Sequence, residues 1–446
     1  MTATYDLIVI GGGTAGYSAA VHAAEKEGRV LLVDAGPPGG RGLSLGPKGL
    51  LNAVMNPVSP ESLNGWNEIK TQGRDWVNGV VRERTARLQE AGVEVVQARG
   101  RVVSPAEVQI LEDSGEPRSV EGKAVVVATG SRVKSIASMP FDGEWIQTSE
   151  DIWDWRELPQ SVLIAGSQAE SLEWAFVLRR LGVKVFLVHG ESELLPELDP
   201  DLLETCEKTL KKEKVKILLN KKITSIYKNN EGLDVALDGG VRFTVNRLVV
   251  CGEREVDLED SIAVAAVPDR GQQGEVLVDE KLKTTVAGIY AAGSVTGHLR
   301  CRYRSEEEGR VAAANALGKK RSLHSQLVPR VLQFPDEIAS VGCNLEMAHH
   351  LGYRGIEGRG GGEGAESGSN NASFFVKLVF EKKSREIIGG QAVGPGAGDI
   401  IEAVRMGMRK GQGIRDFCHF QGDGEPFWGV LREAAEDGQR KVSELR

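Results

Sequence analysis

The chain has 446 residues, enough for two or three domains that each bury a core. Hydrophobic residues make up 41% and charged residues 26%, the balance of a globular protein, and a formal charge of -8 leaves no basic footprint for nucleic acid or an anionic membrane surface. Five scattered cysteines without a CxxC pair suggest neither a disulfide framework nor a metal site, and no early apolar run is long enough for a transmembrane segment or a signal-peptide core, so a cytoplasmic protein is expected.

The opening pattern predicts a strand over Asp6 to Ile10, an alanine-rich helix over Ala15 to Glu27 and a second strand over Val30 to Val33, together a βαβ unit. Gly11, Gly13 and Gly16 form GxGxxG between strand and helix, and Asp34 closes the second strand. Such glycines permit a tight turn, the approach of a pyrophosphate to the backbone and close helix packing, while the acid can accept hydrogen bonds from a ribose. A second βαβ unit begins at Ser161, with strands over Val162 to Ala165 and Val183 to Val188 around a helix over Leu172 to Leu181. Leu248 to Cys251 and Gly288 to Ala292 read as short buried strands, and Ser305 to Leu317 as a helix. From Glu357 to Asn371 the chain reads EGRGGGEGAESGSNN, with so little apolar surface that a mobile, exposed loop is expected. Strands over Phe374 to Phe380 and Ile387 to Val393 and helices over Asp399 to Lys410 and Phe427 to Ala435 complete the pattern.

Gly39 to Leu51, GGRGLSLGPKGLL, resembles the GGTCLNVGCIPSK of flavin disulfide reductases of the dihydrolipoamide dehydrogenase type. Val125 to Ser131 reads VVVATGS and Gly288 to Gly297 reads GIYAAGSVTG, similar to two further flavin-contacting segments of that family. Thr148 to Asp151, Pro335 to Gly342 and Gly389 to Pro395 carry the likeness along nearly the whole chain. The resemblance implies an α/β fold with two Rossmann-like dinucleotide-binding domains and a C-terminal α+β dimerisation domain. Residues 1–148 and 276–321 would bind FAD, 149–275 would form the NAD(P)-binding-like domain, and 322–446 the homodimer interface. It also implies that FAD lies against Gly11, Gly13, Gly16, Asp34 and Gly40, with Ala128, Thr129, Gly130, Gly293 and Ser294 returning across it. Ser294 stands where the family has an aspartate at the ribityl chain.

In the same alignment Gly42 and Pro47 fall at the family's two redox cysteines and Leu51 at its lysine. Neither glycine nor proline can take electrons from reduced flavin by thiol exchange, so the disulfide route is excluded on this reading. GSQAESLEWA, Gly166 to Ala175, stands for the family's GGGYIGLELA: Gln168 and Ser171 replace two fingerprint glycines, Ala169 replaces an aromatic gate, and Glu170 adds a negative charge where phosphates would sit. Glu173 is kept but is expected to lack its lysine partner. His189 replaces the acid that would hold an NAD ribose; as a cation it would suit an NADP 2'-phosphate, although Glu191 and Glu193 follow it. Towards the C-terminus Gly424 and Gly429 fall at the family's histidine and glutamate, and His419 reads as a turn residue.

Two functions fit these residues. One is an FAD-dependent oxidoreductase that passes electrons, with NAD(P)H as a candidate donor, directly to a quinone or a partner redox protein. The other is a non-catalytic or electron-transfer flavoprotein subunit whose nicotinamide site, at Gly166, Glu173 and His189, is vestigial. In RCRYRS, Arg300 to Ser305, the alignment puts Cys301 and Arg302 at the flavin edge, where Arg302 is expected to stabilise charge on the reduced ring. Arg300 and Arg304 are expected to pair with Glu306 to Glu308 on a solvated helix face.

Overall fold

The computed structural model describes residues 4–59, 65–112, 116–134, 139–166, 168–196, 198–252, 254–258, 261–263, 266–297, 301–363, 373–420 and 426–444. β1 (Leu7–Ile10), α1 (Thr14–Ala24) and β2 (Val30–Asp34) form the first βαβ unit; the two strands are almost wholly buried, as both faces of a parallel sheet require. α2 (Lys48–Met55), α3 (Trp66–Glu90), β3 (Glu94–Gln97) and β4 (Val125–Val127) follow. The second nucleotide-type fold runs through β5 (Ile146–Thr148), β6 (Ser161–Ala165), α4 (Ala169–Arg180), β7 (Lys184–Val188), α5 (Pro200–Lys212), β8 (Lys216–Leu218) and β9 (Arg247–Val250). β10 (Ile289–Ala291) then returns to the first sheet beside β4, and α6 (Arg302–Ala316) packs on α1.

The two parallel sheets have the orders β10-β4-β1-β2-β3 and β5-β9-β6-β7-β8. α1 and α6 cross at small residues: a Cβ at Gly309 would overlap the Ala15 carbonyl oxygen, and one at Gly293 would lie 2.8 Å from the Ala15 Cβ. That crossing fixes the start of α6 beside the first glycine turn.

The C-terminal region is an antiparallel sheet of β11 (Arg330–Leu332), β12 (Ile338–Gly342), β13 (Gly355–Glu363), β14 (Ser373–Glu381) and β15 (Ile387–Val393), in the order β11-β12-β15-β14-β13, followed by α7 (Ala397–Arg409) and α8 (Pro426–Glu444). The glycine-rich stretch expected to be a loop departs from that expectation in its first half. Residues 355–363 are strand β13, paired with β14 throughout, while 364–372 lie outside the described residues. The glycines serve close packing: a Cβ at Gly358 would overlap the Ala434 carbonyl oxygen, and one at Gly360 that of Val430, so α8 rests directly on the strand backbone.

Packing divides the chain into two units, 1–192 with 215–323 and 193–214 with 324–446. The four-part division expected from the sequence gave α5 to the nucleotide-type domain. Its N-cap residue Asp199 instead meets Lys377 of β14 at 2.8 Å, with both side chains buried, inside the C-terminal unit. Among the described residues no helix is long and apolar enough to cross a membrane, and no group of three His, Cys, Asp or Glu could hold a metal ion.

Candidate active site

The first glycine turn is built for a ligand. Gly11 has φ 99°, and a Cβ at Gly16 would overlap the Gly11 carbonyl oxygen, so α1 can start this close to the end of β1 only with glycine at both places. At Gly13 a Cβ would meet nothing within 4 Å, which leaves open space in front of the α1 N-terminus. Asp34 accepts from the backbone N–H groups of Gly12 and Gly36; burial pushes its pKa up, and the two N–H groups oppose that rise. Gly40 comes in from the next loop, close enough that its Cβ would sit 2.8 Å from the Gly13 Cα. Thr129 borders Gly11, and its Oγ1 is buried with no partner in the protein. Open space at a helix N-terminus, a carboxylate at the adjoining strand end and an orphaned hydroxyl fit the pyrophosphate and ribose of FAD. Ala128 is buried at the end of β4, and Gly130, at φ 83°, turns the chain beside it. Ser294 opens a short helical turn, Ser294–Thr296, which is anchored by Glu308: the Gly293 N–H donates to Glu308 Oε2 at 2.7 Å and Thr296 Oγ1 donates at 3.3 Å.

The segment aligned with the family's dithiol begins with a short helix, Gly40–Ser44, and is held by side chains from elsewhere in the fold. The Ser44 hydroxyl donates to the Gly40 carbonyl at 3.1 Å, Arg74 Nη1 to that of Ser44 at 3.2 Å, and Trp153 Nε1 to that of Gly46 at 3.1 Å, while the Arg74 guanidinium lies 4.3 Å from the Trp153 ring centroid. Gly42 is exposed and a Cβ there would meet nothing within 4 Å. Pro47 caps α2, and Leu51 is buried within it. One expectation is corrected here. Glu173 was expected to lack a lysine partner because Leu51 occupies the aligned position, yet Lys48 Nζ lies 2.5 Å from Glu173 Oε1. Lys48 and Leu51 are three positions apart, so the two share one helix face, and the ammonium reaches Glu173 from one turn earlier.

A second charged cluster went unnoticed in the sequence. Buried Glu150 bridges two guanidiniums: its Oε1 accepts from Arg254 Nη2 at 3.0 Å and its Oε2 from Arg41. Arg254 is buried and also donates to Ser131 Oγ at 2.9 Å, whereas the Arg41 side chain is 51% exposed. Glu150 could have been suspected from the capping box of Thr148 and Asp151 around it, but nothing local points to its distant partners.

In the second glycine turn, Gly166 has φ 144° and a Cβ there would overlap the Cys251 carbonyl oxygen, a backbone reason for keeping this glycine. Ser171, at the third fingerprint position, is buried and donates to that same carbonyl at 2.9 Å. Glu170 was expected to place its charge where phosphates would sit, but it is buried and accepts from Ser149 Oγ at 2.8 Å, so it faces the protein interior. Gln168 is the N-cap of α4 and makes no side-chain capping bond. At His189 burial pulls the pKa below the ordinary 6.5 against a weaker pull from Glu191, which disfavours the cation that a 2'-phosphate would pair with.

At the start of α6 the flavin-edge role expected of Arg302 is corrected, while Arg304 makes a pairing of the kind expected of it, directed inward rather than on a solvated face. Arg302, expected at the flavin edge, has a side chain 62% exposed and donates from Nε to Glu306 at 3.0 Å, the solvated pairing expected of its neighbours. Arg304 turns inward and donates from Nε to buried Glu308 at 2.7 Å. Cys301 is the half-buried N-cap of α6, and Arg300 lies outside the described residues. Of the C-terminal dyad positions, Gly424 lies outside them too; Gly429 sits on α8 with open space at its Cβ, and His419 directly follows the helix Ile414–Cys418.

Residues 5–316 match the model of the pyridine nucleotide-disulphide oxidoreductase family, and residues 328–421 match that of its dimerisation domain. The chain belongs to this family. Pyridine nucleotide-disulphide oxidoreductases bind FAD and use NAD(P)H, and the dimerisation domain supports a homodimer. The chain is 29% identical over 441 residues to the dihydrolipoyl dehydrogenase of Thermus scotoductus, with 93% of each chain covered, and 28% identical over 435 residues to that of Chlorobaculum parvum, with 92% of each covered. It is also similar to the leghemoglobin reductase of Glycine max, 26% identical over 444 residues, covering 93% of this chain and 84% of that one. Two solved structures share the fold. LpdA from Mycobacterium tuberculosis superposes with a TM-score of 0.87 at 22% identity, covering 96% of this chain and 98% of its own. The HOCl-induced flavoprotein disulfide reductase RclA from Escherichia coli gives 0.81 at 20%, covering 96% and 99%.

Proposed function

We propose that this chain is an FAD-dependent oxidoreductase that passes electrons from NAD(P)H directly to a non-disulfide acceptor, a quinone or a partner redox protein. The carrying observation is the segment from Gly39 to Lys48, a short helix and turn that keeps a hydrogen-bonded frame and a lysine for Glu173 while glycine and proline stand where the family's thiols would be. Bound FAD supplies a carrier that accepts two electrons from reduced nicotinamide and releases them singly or in pairs. Lys48 holds the Glu173 carboxylate in place on α4, and Glu150 with Arg254 braces the neighbouring strand end. No thiol stands at position 42 or 47 to relay electrons. With a quinone acceptor, one NAD(P)H and one proton from water give NAD(P)+ and the hydroquinone. The reading assigns FAD to the first glycine turn and any nicotinamide to the second, at Gly166, Glu173 and His189.

Anaerobic titration of the yellow holoprotein with NADH and then NADPH tests this. Bleaching of the flavin without a long-wavelength thiolate charge-transfer band is expected, followed by reoxidation with a quinone, and dihydrolipoamide should not turn over. A charge-transfer band, or arsenite-sensitive turnover of dihydrolipoamide, would refute it. Gln168 at the start of α4 and the burial that lowers the His189 pKa favour a second reading, an electron-transfer or non-catalytic subunit with a vestigial nicotinamide site. That reading requires that neither nicotinamide bleach the flavin.

A further inference from the structure

Where α1, α3 and α6 meet, one cation has no carboxylate. The half-buried Arg84, on α3, makes no side-chain hydrogen bond and no ion pair among the described residues, and its Nη1 is buried without an acceptor. What it does make is a stacking contact: its guanidinium carbon lies 4.9 Å from the ring centroid of Tyr17 on α1. Such a contact uses the face of the guanidinium and leaves its edge of N–H donors unspent. Burial pulls the Arg84 pKa below the ordinary 12.5, and the charge that acts on it most is another guanidinium, that of Arg302 at the start of α6, ahead of Glu306, Tyr17 and Glu83. The other cations there are matched: Arg302 donates from Nε to Glu306 at 3.0 Å, and Arg87 pairs with Glu25 and, at 3.6 Å, with Glu90. The Tyr17 hydroxyl likewise makes no hydrogen bond among the described residues, and burial pushes its pKa up, so at neutral pH it stays a donor. A guanidinium drawn out of water beside a like charge, with no acceptor of its own, is left short of negative charge.

We propose that Arg84, with the Tyr17 hydroxyl and the outer nitrogens of Arg302, forms an oxyanion site at this junction, which takes inorganic phosphate or the phosphate of a small phosphorylated ligand. Donors carried on three separate helices suit a tetrahedral anion, whose oxygens diverge, better than a planar carboxylate. The anion reaches Arg84 from the side of the guanidinium that stays open to water and relieves the repulsion between the two guanidiniums. The site is separate from the flavin cradle: the FAD pyrophosphate belongs to the open space at Gly13, one helical turn before Tyr17. It does not depend on which acceptor the flavin serves.

The test uses the FAD-loaded protein in a chloride buffer free of oxyanions, with inorganic phosphate as the probe. Calorimetric titration should show a single site, weakened about tenfold in Arg84→Met, partly kept in Arg84→Lys and weakened by added sodium chloride. Phosphate should also raise the melting temperature of the wild type and not that of Arg84→Met. Tyr17→Phe keeps the ring beneath Arg84 and removes only the hydroxyl, so it reads the site even if Arg84→Met does not fold; a loss of about threefold is expected. Absence of phosphate binding to the wild type, or equal affinity in wild type and Arg84→Met, overturns the assignment. Should Arg84→Met not fold, unchanged affinity in both Arg84→Lys and Tyr17→Phe overturns it and marks any bound phosphate as adventitious. FAD release on dilution, followed by the recovery of flavin fluorescence, should be the same in wild type and Arg84→Met. Faster release together with no phosphate binding would give this guanidinium to the FAD pyrophosphate and overturn a separate site.

Discussion

Replacing Lys48 by methionine removes an ammonium from a carboxylate that has little water to fall back on, since Glu173 is 4% exposed. At an effective dielectric constant of about 20, two charges roughly 4 Å apart attract by about 4 kcal/mol, and desolvation takes back part of that. Lys48 is nearly one third exposed, which screens the pair further, so a coupling of about 2 kcal/mol is expected, in the range of hydrogen bonds to charged groups. The assay is a double-mutant cycle of Lys48→Met and Glu173→Gln, with urea unfolding followed by tryptophan fluorescence. With an m-value of about 3 kcal/mol per molar, the coupling corresponds to a midpoint shift of roughly 0.7 M that the two single variants do not sum to. Adding Leu51→Lys to Lys48→Met places an ammonium on the same face one turn later and should recover part of the loss. A coupling below about 0.5 kcal/mol at unchanged m would refute the claim that Lys48 does the work of the lysine absent from position 51.

Gly13→Asp, which fills the open space before α1 with a carboxylate, should abolish FAD retention; a variant that purifies yellow would contradict the assigned cradle. Gly360→Ala should destabilise the C-terminal unit by about 1–3 kcal/mol, because its Cβ overlaps the Val430 carbonyl and α8 must move away; a loss under about 0.5 kcal/mol in thermal or urea unfolding would show that the helix yields freely. Thiol labelling of native protein at pH 8 should reach the half-buried Cys301 and Cys418 first, while Cys206, whose pKa burial pushes up to about 12, stays inert with buried Cys251 and Cys343; rapid labelling of all five would contradict that burial. Arg302→Ala should leave the flavin midpoint potential unchanged, since its guanidinium pairs with Glu306 in solvent, whereas Arg304→Ala strips the partner from buried Glu308 and should weaken FAD retention; a lowered potential in Arg302→Ala would restore the flavin-edge role.

The parts of the molecule that could be read from sequence are those fixed by neighbours in the chain. Both βαβ units, the GxGxxG of Gly11 to Gly16 and strands β14 and β15 stand where periodicity and glycine spacing put them. The misread positions depend on partners far along the chain. Gly358 and Gly360 look like flexible linker until Ala434 and Val430 of α8 come to rest on them. Lys48 was passed over because alignment counts columns, while a helix presents a face, and residues three apart are equivalent on it. Arg302 and Arg304 differ only in which side of α6 meets α1, and that is decided by the close crossing at Gly309.

The ion pair between Asp199 and Lys377 sets a timetable for biosynthesis. Its partners are 178 residues apart, and Lys377 is buried among Asp199, Asp201 and Glu357, which hold its pKa up against the burial that would lower it. At ribosomal speeds of roughly 5–20 residues per second, α5 leaves the exit tunnel about 10–35 s before the strand that will neutralise its N-cap. Through that interval the nascent chain must carry a helix whose docking surface does not yet exist. A pause or truncation between residues 214 and 377 would leave α5 without the strand it docks on, the situation in which holdase chaperones are engaged.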